Sequence, residues 1–251
     1  MFERMFEYLS MTTAAPERSG AARETRREAR PRGAGDPLER ALLPVLPALG
    51  PLFPDGALRR GSTVAVAGST SLLIAVLAGP SLAGSWCAVL GVPALGLVAA
   101  AGAGVAVDRL ALVPAPGPAW PSVTAALLDA VDLVVVAPAA RVRPQDARRL
   151  AARARQRGSV LVPYGVPAGG WEGADLWLSV AETQWSGLGA GWGHLRARQA
   201  LLRSDGRGSA GRLRRARVWL PAPDGGVEPV GEVVPIPGRR SPPGGPPPGG
   251  P

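Results

Sequence analysis

The segment Val66-Ala67-Gly68-Ser69-Thr70-Ser71-Leu72-Leu73 has the small, hydroxyl-bearing residues that can surround a phosphate group where a strand gives way to a helix. A loop of the form G-x-x-x-x-G-K-[ST] works because glycine N–H groups wrap the phosphates, a lysine reaches the terminal ones and a hydroxyl holds magnesium. The chain has 251 residues and no lysine. Gly68 can still make the turn, and Ser69, Thr70 and Ser71 retain hydroxyls, but the ammonium group is missing. The nearest basic residues in sequence are Arg59 and Arg60, which makes them the candidates for the lysine role in an alternative reading as a divergent nucleotide-binding ATPase.

Other reactive groups are sparse. Cys87 is the only cysteine, so an internal disulfide and a multi-thiolate metal site are both excluded. His194 is the only histidine and has no Cys or Asp cluster beside it, which leaves triad and zinc chemistry without partners. The glycines at 187, 189, 191 and 193 do not follow a parallel strand into a helix, so a hairpin loop is expected there instead of a nucleotide loop. Trp185 and Trp192 flank that loop and are candidates for stacking on bases or on a protein partner.

The formal charge of +9 arises from 28 arginines against 19 acids, and such a balance favours acidic partners or simply reflects a biased base composition. The charge is clustered. Residues 141–157 hold seven arginines and one acid, and residues 196–217 hold eight arginines and one acid. Arg148, Arg149, Arg153 and Arg155 fall largely outside the apolar stripe of an expected helix, while Arg196 and Arg198, like Arg212 and Arg214, share a strand face. These residues are candidates for non-specific contact with a phosphate backbone or with a partner, against the alternative of a solvated face.

Alternating strand and helix patterns must position these groups. Strands are expected at 63–67, 86–90, 110–113, 131–136 and 159–162, with helices at 72–82, 95–104, 121–130 and 144–157 between them. The near-unbroken apolar run at 131–136 points to a central strand. The helix at 121–130 is expected to face inward through Val123, Leu127 and Ala130, and that at 144–157 through Ala147, Leu150, Ala151 and Ala154. After residue 175, longer alternating segments suggest antiparallel strands. The fold class is thus α/β, with a mostly parallel sheet flanked by helices and antiparallel strands at its C-terminal edge.

Residues 61–107 carry no charge and offer a rival reading as membrane spans. A span needs about 20 consecutive apolar residues, and Gly79-Pro80, Gly91-Val92-Pro93 and the glycines at 96, 102 and 104 divide the run into shorter pieces. A buried parallel sheet explains it better. Residues 1–36 form an Arg/Glu/Ala-rich segment expected to be mobile, with no secretory leader evident, and Met1, Met5 and Met11 are each a possible start. A folded domain is expected over 37–222, followed by a disordered Pro/Gly-rich tail at 223–251.

The order of Leu46-Pro47-Ala48-Leu49-Gly50, Leu58-Arg59-Arg60-Gly61, Val64-Ala65-Val66-Ala67-Gly68, Ser85-Trp86-Cys87-Ala88-Val89-Leu90, Leu110-Ala111-Leu112-Val113-Pro114 and Val131-Asp132-Leu133-Val134-Val135-Val136 resembles the RecA recombinase core. More closely it is similar to the RecA-related ImuA and ImuA-prime accessory proteins, some labelled SulA-like, of bacterial mutagenic repair. The segments 185–195 and 217–222 add to that resemblance, which covers 37–222. It implies a carboxylate after the second strand, where Gly91, Val92 and Pro93 stand, and a magnesium-holding aspartate at the end of the strand 131–136, where Ala137 stands. With the lysine also absent, the resemblance implies a RecA-like scaffold without catalysis, cofactor or metal. The partners it implies are a Y-family-like polymerase subunit of the ImuB type and an error-prone replicative-type polymerase, with DNA nearby and no membrane. The implied location is cytoplasmic and nucleoid-associated, within the SOS response to DNA damage. A septation inhibitor is a weaker alternative, suggested only by the SulA-like label.

Overall fold

The computed structural model describes residues 41–139, 141–167, 169–188, 193–207 and 211–230; the expected mobile N-terminal segment and most of the Pro/Gly-rich tail lie outside them. Two short strands, β1 (Leu42–Leu43) and β2 (Leu58–Arg59), pair antiparallel ahead of the main sheet. The remaining strands are β3 (Val64–Val66), β4 (Cys87–Leu90), β5 (Leu110–Val113), β6 (Leu133–Val136), β7 (Val160–Pro163), β8 (Leu176–Leu188), β9 (Gly193–Gly206), β10 (Arg214–Trp219) and β11 (Glu228–Pro229).

Four parallel strands run in the order β5-β4-β6-β7, and parallel bridges Thr63–Leu161 and Val66–Tyr164 join β7 to β3. From β3 the order continues β8-β9-β10-β11. β8 is parallel to β3 and antiparallel to β9, and β9, β10 and β11 continue antiparallel. The expected α/β architecture, with antiparallel strands at the C-terminal edge, is therefore the one formed. Glu228 and Pro229 pair with Trp219 and Val218, so the sheet continues beyond residue 222, where the tail was expected to begin.

Helices α1 (Thr70–Leu82), α2 (Leu97–Gly102), α3 (Trp120–Ala130) and α4 (Pro144–Arg157) connect the parallel strands. α1 has no polar face, because every residue from Leu72 to Ser81 is buried. A helix that is apolar all round must be covered on all sides. The sheet covers one side and the lead-in through Leu49, Leu52 and Leu58 another, all within one core cluster. The charge-free stretch 61–107 is thereby used for β3, α1, β4 and α2, and among the described residues no helix is long and apolar enough to cross a membrane.

α3 and α4 pack on the opposite face over Ala65, Val134, Val136 and Leu161. Both faces of the central strands are thus covered, which explains why β6 reads as an unbroken apolar run. On α4, Ala147, Leu150, Ala151 and Ala154 are buried, as the periodicity predicts. On α3 the buried residues are Thr124, Ala125 and Leu128, whereas Val123 and Leu127 are only partly covered and Ala130 is exposed. The stripe is rotated by one position because Trp120 packs against Trp171 at 6.3 Å between ring centroids and shares the cover of the sheet.

Candidate functional site

β3 is the first strand of the parallel series but lies between β7 and β8, while β4 lies beyond β7 and β6. The chain therefore reverses its direction of winding at β3, and ligands of open parallel sheets bind at such a reversal, outside the carboxyl ends of the strands. The segment around Gly68 occupies that end. Only Ala67, Gly68 and Ser69 separate β3 from α1. Gly68 makes the turn with φ +58°, which favours glycine.

The connection is spent on structure. Ala67 N–H donates to the Leu178 carbonyl at 2.9 Å, which fixes the turn to β8. The Ser69 hydroxyl caps α1 by accepting from Leu72 N–H at 3.3 Å. Thr70 Oγ1 shares a 2.8 Å hydrogen bond with the Tyr164 hydroxyl at the end of β7. Ser71 is the second residue of α1 and half-buried. The Ser69 and Thr70 hydroxyls therefore serve capping and the β7 contact, and too few residues remain between strand and helix to encircle a phosphate chain. Tyr164 was not visible as a site residue in the sequence, because its link to Thr70 spans distant segments.

The neighbouring strand ends close on each other. Gly91 follows β4 with φ +77°, and Ala137 follows β6. Ala137 N–H donates to the Leu90 carbonyl at 2.8 Å. A Cβ atom on Gly91 would overlap the Ala137 carbonyl oxygen. The positions at which the resemblance places a water-activating carboxylate and a magnesium ligand are thus occupied by backbone in contact.

Arg59 and Arg60 are at the wrong end for the lysine role. Arg59 pairs with Asp55 at 3.0 Å. Arg60 donates to Asp132 at 2.8 Å, and Asp132 also accepts from Trp86 N–H at 3.1 Å. These contacts gather at the amino ends of β3, β4 and β6, with the length of β3 between them and Gly68. Asp132 is accordingly a structural tie at the strand entry. Cys87 is buried, and its thiol is pushed up to about 12 by burial and then by the Asp132 charge, which disfavours the thiolate.

The candidate basic residues fall into two groups separated in the sheet by β3 and β8. On α4, Arg148 forms an ion pair with Glu172, its Nε donating at 2.9 Å. Arg153 Nε and Arg157 Nε both donate to Asp129 Oδ1 at 2.9 Å. The Arg153 hydrogen bond is the main reason the Asp129 carboxyl is held below its ordinary range. Arg149 is exposed and has no ion pair among the described residues. The solvated face expected from sequence is therefore partly neutralised by two acids that no local pattern revealed.

In the second group, Arg196 is exposed on β9. Arg198 is directed inward: its Nε donates to the Leu220 carbonyl at 2.6 Å and its guanidinium lies 5.3 Å from the centroid of the Trp185 ring. Burial lowers its pKa. It is held against Trp185 and the Leu220 carbonyl and forms no ion pair among the described residues. Trp185 is 46% exposed on β8, opposite Arg198 in the register. Arg212 precedes β10, and Arg214 Nη1 donates to its carbonyl at 3.2 Å. Trp192 lies outside the described residues, as do the glycines at 189 and 191. Gly187 sits at a register shift of the β8–β9 hairpin, in keeping with a hairpin in place of a nucleotide loop.

Comparison with known proteins places one name on part of this fold. Residues 51–173 match the MT3502 N-terminal domain. That stretch contains the Gly68 turn, the Gly91–Ala137 contact and α4. The chain is also 38% identical over 133 residues to the uncharacterized protein Rv3395c of Mycobacterium tuberculosis (strain ATCC 25618 / H37Rv). That similarity covers 52% of this chain and 64% of the relative, so the match spans less than two thirds of the relative's length. The crystal structure of the RadB recombinase is similar with a TM-score of 0.47 and 15% identity, over 68% of this chain and 92% of that one. A likeness that slight assigns neither fold nor function. The similarity to the MT3502 N-terminal domain stops before β8, so the hairpin bearing Trp185 and Arg196 lies beyond it.

Proposed function

We propose that the chain is a non-catalytic, RecA-like accessory protein of damage-induced translesion synthesis, acting through protein contacts and through DNA near the complex. The observation that carries the absence of catalysis is the packing of Gly91 on the Ala137 carbonyl. It supports a site without the two carboxylate functions of phosphoryl transfer, each oriented group of that kind being worth roughly 3–4 kcal/mol of transition-state stabilisation. The resemblance of the ordered strand segments to the ImuA and ImuA-prime proteins supplies the biological setting, cytoplasmic and nucleoid-associated.

The partners are an ImuB-type, Y-family-like polymerase subunit and an error-prone replicative-type polymerase. Exposed Leu82 at the end of α1, Leu97 and Val98 on α2 and Val107 after it offer apolar contact area, and Trp185 offers more on the hairpin. Affinity capture of the tagged full-length chain from cells treated with a DNA-damaging agent is expected to recover the polymerase subunit. Recovery of the chain without any polymerase subunit sinks the proposal.

DNA contact by α4 is restrained by Asp129, which engages Arg153 and Arg157. Asp129→Asn is expected to tighten duplex DNA binding severalfold at low salt and to steepen the salt dependence by about one charge. Because the folded pKa of Asp129 is depressed, its ion pairs stabilise the fold above the unfolded value of 3.8 and are lost as pH falls through the folded value. The wild type is therefore expected to approach the DNA affinity of the Asp129→Asn variant only in strong acid. Equal binding by the two proteins in a fluorescence anisotropy titration at neutral pH removes α4 from the DNA interface.

A further inference from the structure

β8 outlasts the strand beside it. β3 pairs with it over Leu176–Leu178, and the last contact is Ala67 N–H on the Leu178 carbonyl. Beyond that point no described strand pairs with this edge of β8, and residues 181–187 are exposed.

Hydrogen bonds on the far side of β9 fix which way the exposed backbone points. Arg198 N–H donates to the Pro221 carbonyl at 3.0 Å, and the Arg198 carbonyl accepts from Leu220 N–H at 2.7 Å. Both backbone groups of Arg198 therefore face away from β8. Trp185 stands directly opposite Arg198, and in an antiparallel ladder the two members of such a pair turn away from each other. The N–H and C=O of Trp185 are thus directed to the open edge. The register is unbroken from the Glu182–Leu201 pair to the Ser186–Ala197 pair, so Thr183, two residues back, presents its N–H and C=O to the same edge. Register shifts between Val180 and Glu182 and between Ser186 and Leu188 bound this straight stretch, and Gln184 is its centre.

Sheet edges are ordinarily blunted by proline, charge or bulges. Residues 182–186 contain no proline and one charge, Glu182, and they include Thr183 and Trp185, both strand formers. The bulges shorten the edge without closing it.

From this geometry we infer that residues 182–186 pair antiparallel with the same segment of a second copy of the chain, about a two-fold axis at Gln184. Thr183 of each copy then meets Trp185 of the other as a hydrogen-bonded pair, and all the outward-facing N–H and C=O groups of both copies find partners. The segment is self-complementary. Its two outward-facing residues are symmetric about Gln184, Glu182 meets Ser186 instead of a second carboxylate, and each Trp185 ring gains a β-branched neighbour on its own face. Each copy uses its open edge once, so the association closes as a dimer. A pairing this short makes a small interface and a reversible dimer. The dimer goes beyond the proposed role in translesion synthesis and does not rest on it.

Sedimentation equilibrium of the full chain over a concentration series tests the inference, with a reversible monomer–dimer equilibrium expected. Gln184→Lys sets like charges against each other at the axis and should weaken dimerisation about tenfold or more. Gln184 is exposed, so the melting temperature should not change. Thr183→Pro removes an N–H that β9 does not use and should weaken the dimer as well. Cysteine substitution reads the register. The Cα atoms of a facing pair without hydrogen bonds lie about 4.5 Å apart, within the roughly 4.4–6.8 Å that a disulfide spans. Under mild oxidation Gln184→Cys should form a covalent dimer, whereas Glu182→Cys, which faces Ser186, should not; Cys87 is buried and does not interfere. A monomer at every concentration up to about 100 μM, or equal cross-linking of the two cysteine variants, overturns the inference. A dimer that survives both Gln184→Lys and Thr183→Pro also overturns it, by placing the contact on another surface.

Discussion

Gly91→Ala is expected to lower stability by about 2–5 kcal/mol, read as a fall of about 5–15 °C in the circular-dichroism melting temperature. Two separate effects contribute. Alanine is strained at φ +77°, and its Cβ overlaps the Ala137 carbonyl oxygen, an atom held in place because Ala137 N–H is bonded to the Leu90 carbonyl. Neither neighbour is the flexible end of a side chain, so relief requires β4 and β6 to separate at their carboxyl ends. Gly91→Glu, which installs the missing carboxylate, is expected to destabilise at least as much and to produce no ATP hydrolysis. A melting temperature within about 1 °C of the wild type for Gly91→Ala would show that the strand ends part easily and that the switch point is not closed.

This closure explains how far the site was legible in the sequence. The absence of lysine, of a carboxylate after Leu90 and of aspartate at residue 137 is a matter of residue type, and residue type can be read directly. That the vacated volume is filled by backbone is a matter of distance between segments far apart in the chain, which no periodicity encodes. The same division runs through the fold. α4 was legible because its apolar stripe and Gly158 stop are local, and the structure gives Gly158 a φ of +69° at the helix end. On α3 the buried stripe is displaced by one position from its periodicity, with Trp171, from a loop beyond β7, taking part of the cover. Among the arginines, exposure could be read from pattern, but the ion pairs to Asp129 and Glu172 could not, since both acids come from other elements. A hollow at the amino end of β3 is lined from the lead-in, the end of α4 and the residues around the start of β8 and the end of β9, and for that reason left no sequence signal.

The long hairpin concentrates what remains uncommitted in the C-terminal half. β3 pairs with Leu176–Leu178 of β8, so β8 runs on past it with β9 as its only partner among the described residues, and residues 181–187 are exposed. An arm of this kind can hold an aromatic ring away from the body of the domain while its base stays anchored in the sheet. Arg198 supplies the anchor: it stacks on Trp185 from across the ribbon and ties that side to the Leu220 carbonyl. The ring is thereby fixed in orientation with nearly half its surface open, which is the condition for stacking on an unpaired base without a large ordering penalty.

Trp185→Ala is accordingly expected to weaken binding of single-stranded DNA by roughly 5- to 150-fold, the range set by about 1–3 kcal/mol for an aromatic–base stack. Trp185→Phe should retain most of the affinity, because a phenyl ring still offers a flat face. Arg196→Ala should act differently, weakening binding at low salt and reducing the salt slope by about one charge, since an exposed arginine contributes through phosphate. Melting temperatures of the Trp185 variants should stay close to wild type, the ring being 46% exposed, whereas Arg198→Ala should melt earlier through loss of its bond to Leu220. Fluorescence anisotropy with a labelled oligonucleotide across a salt series separates these cases. If Trp185→Ala binds single strands as the wild type does but no longer retains the polymerase subunit in affinity capture, the ring belongs to a protein interface and base stacking is ruled out.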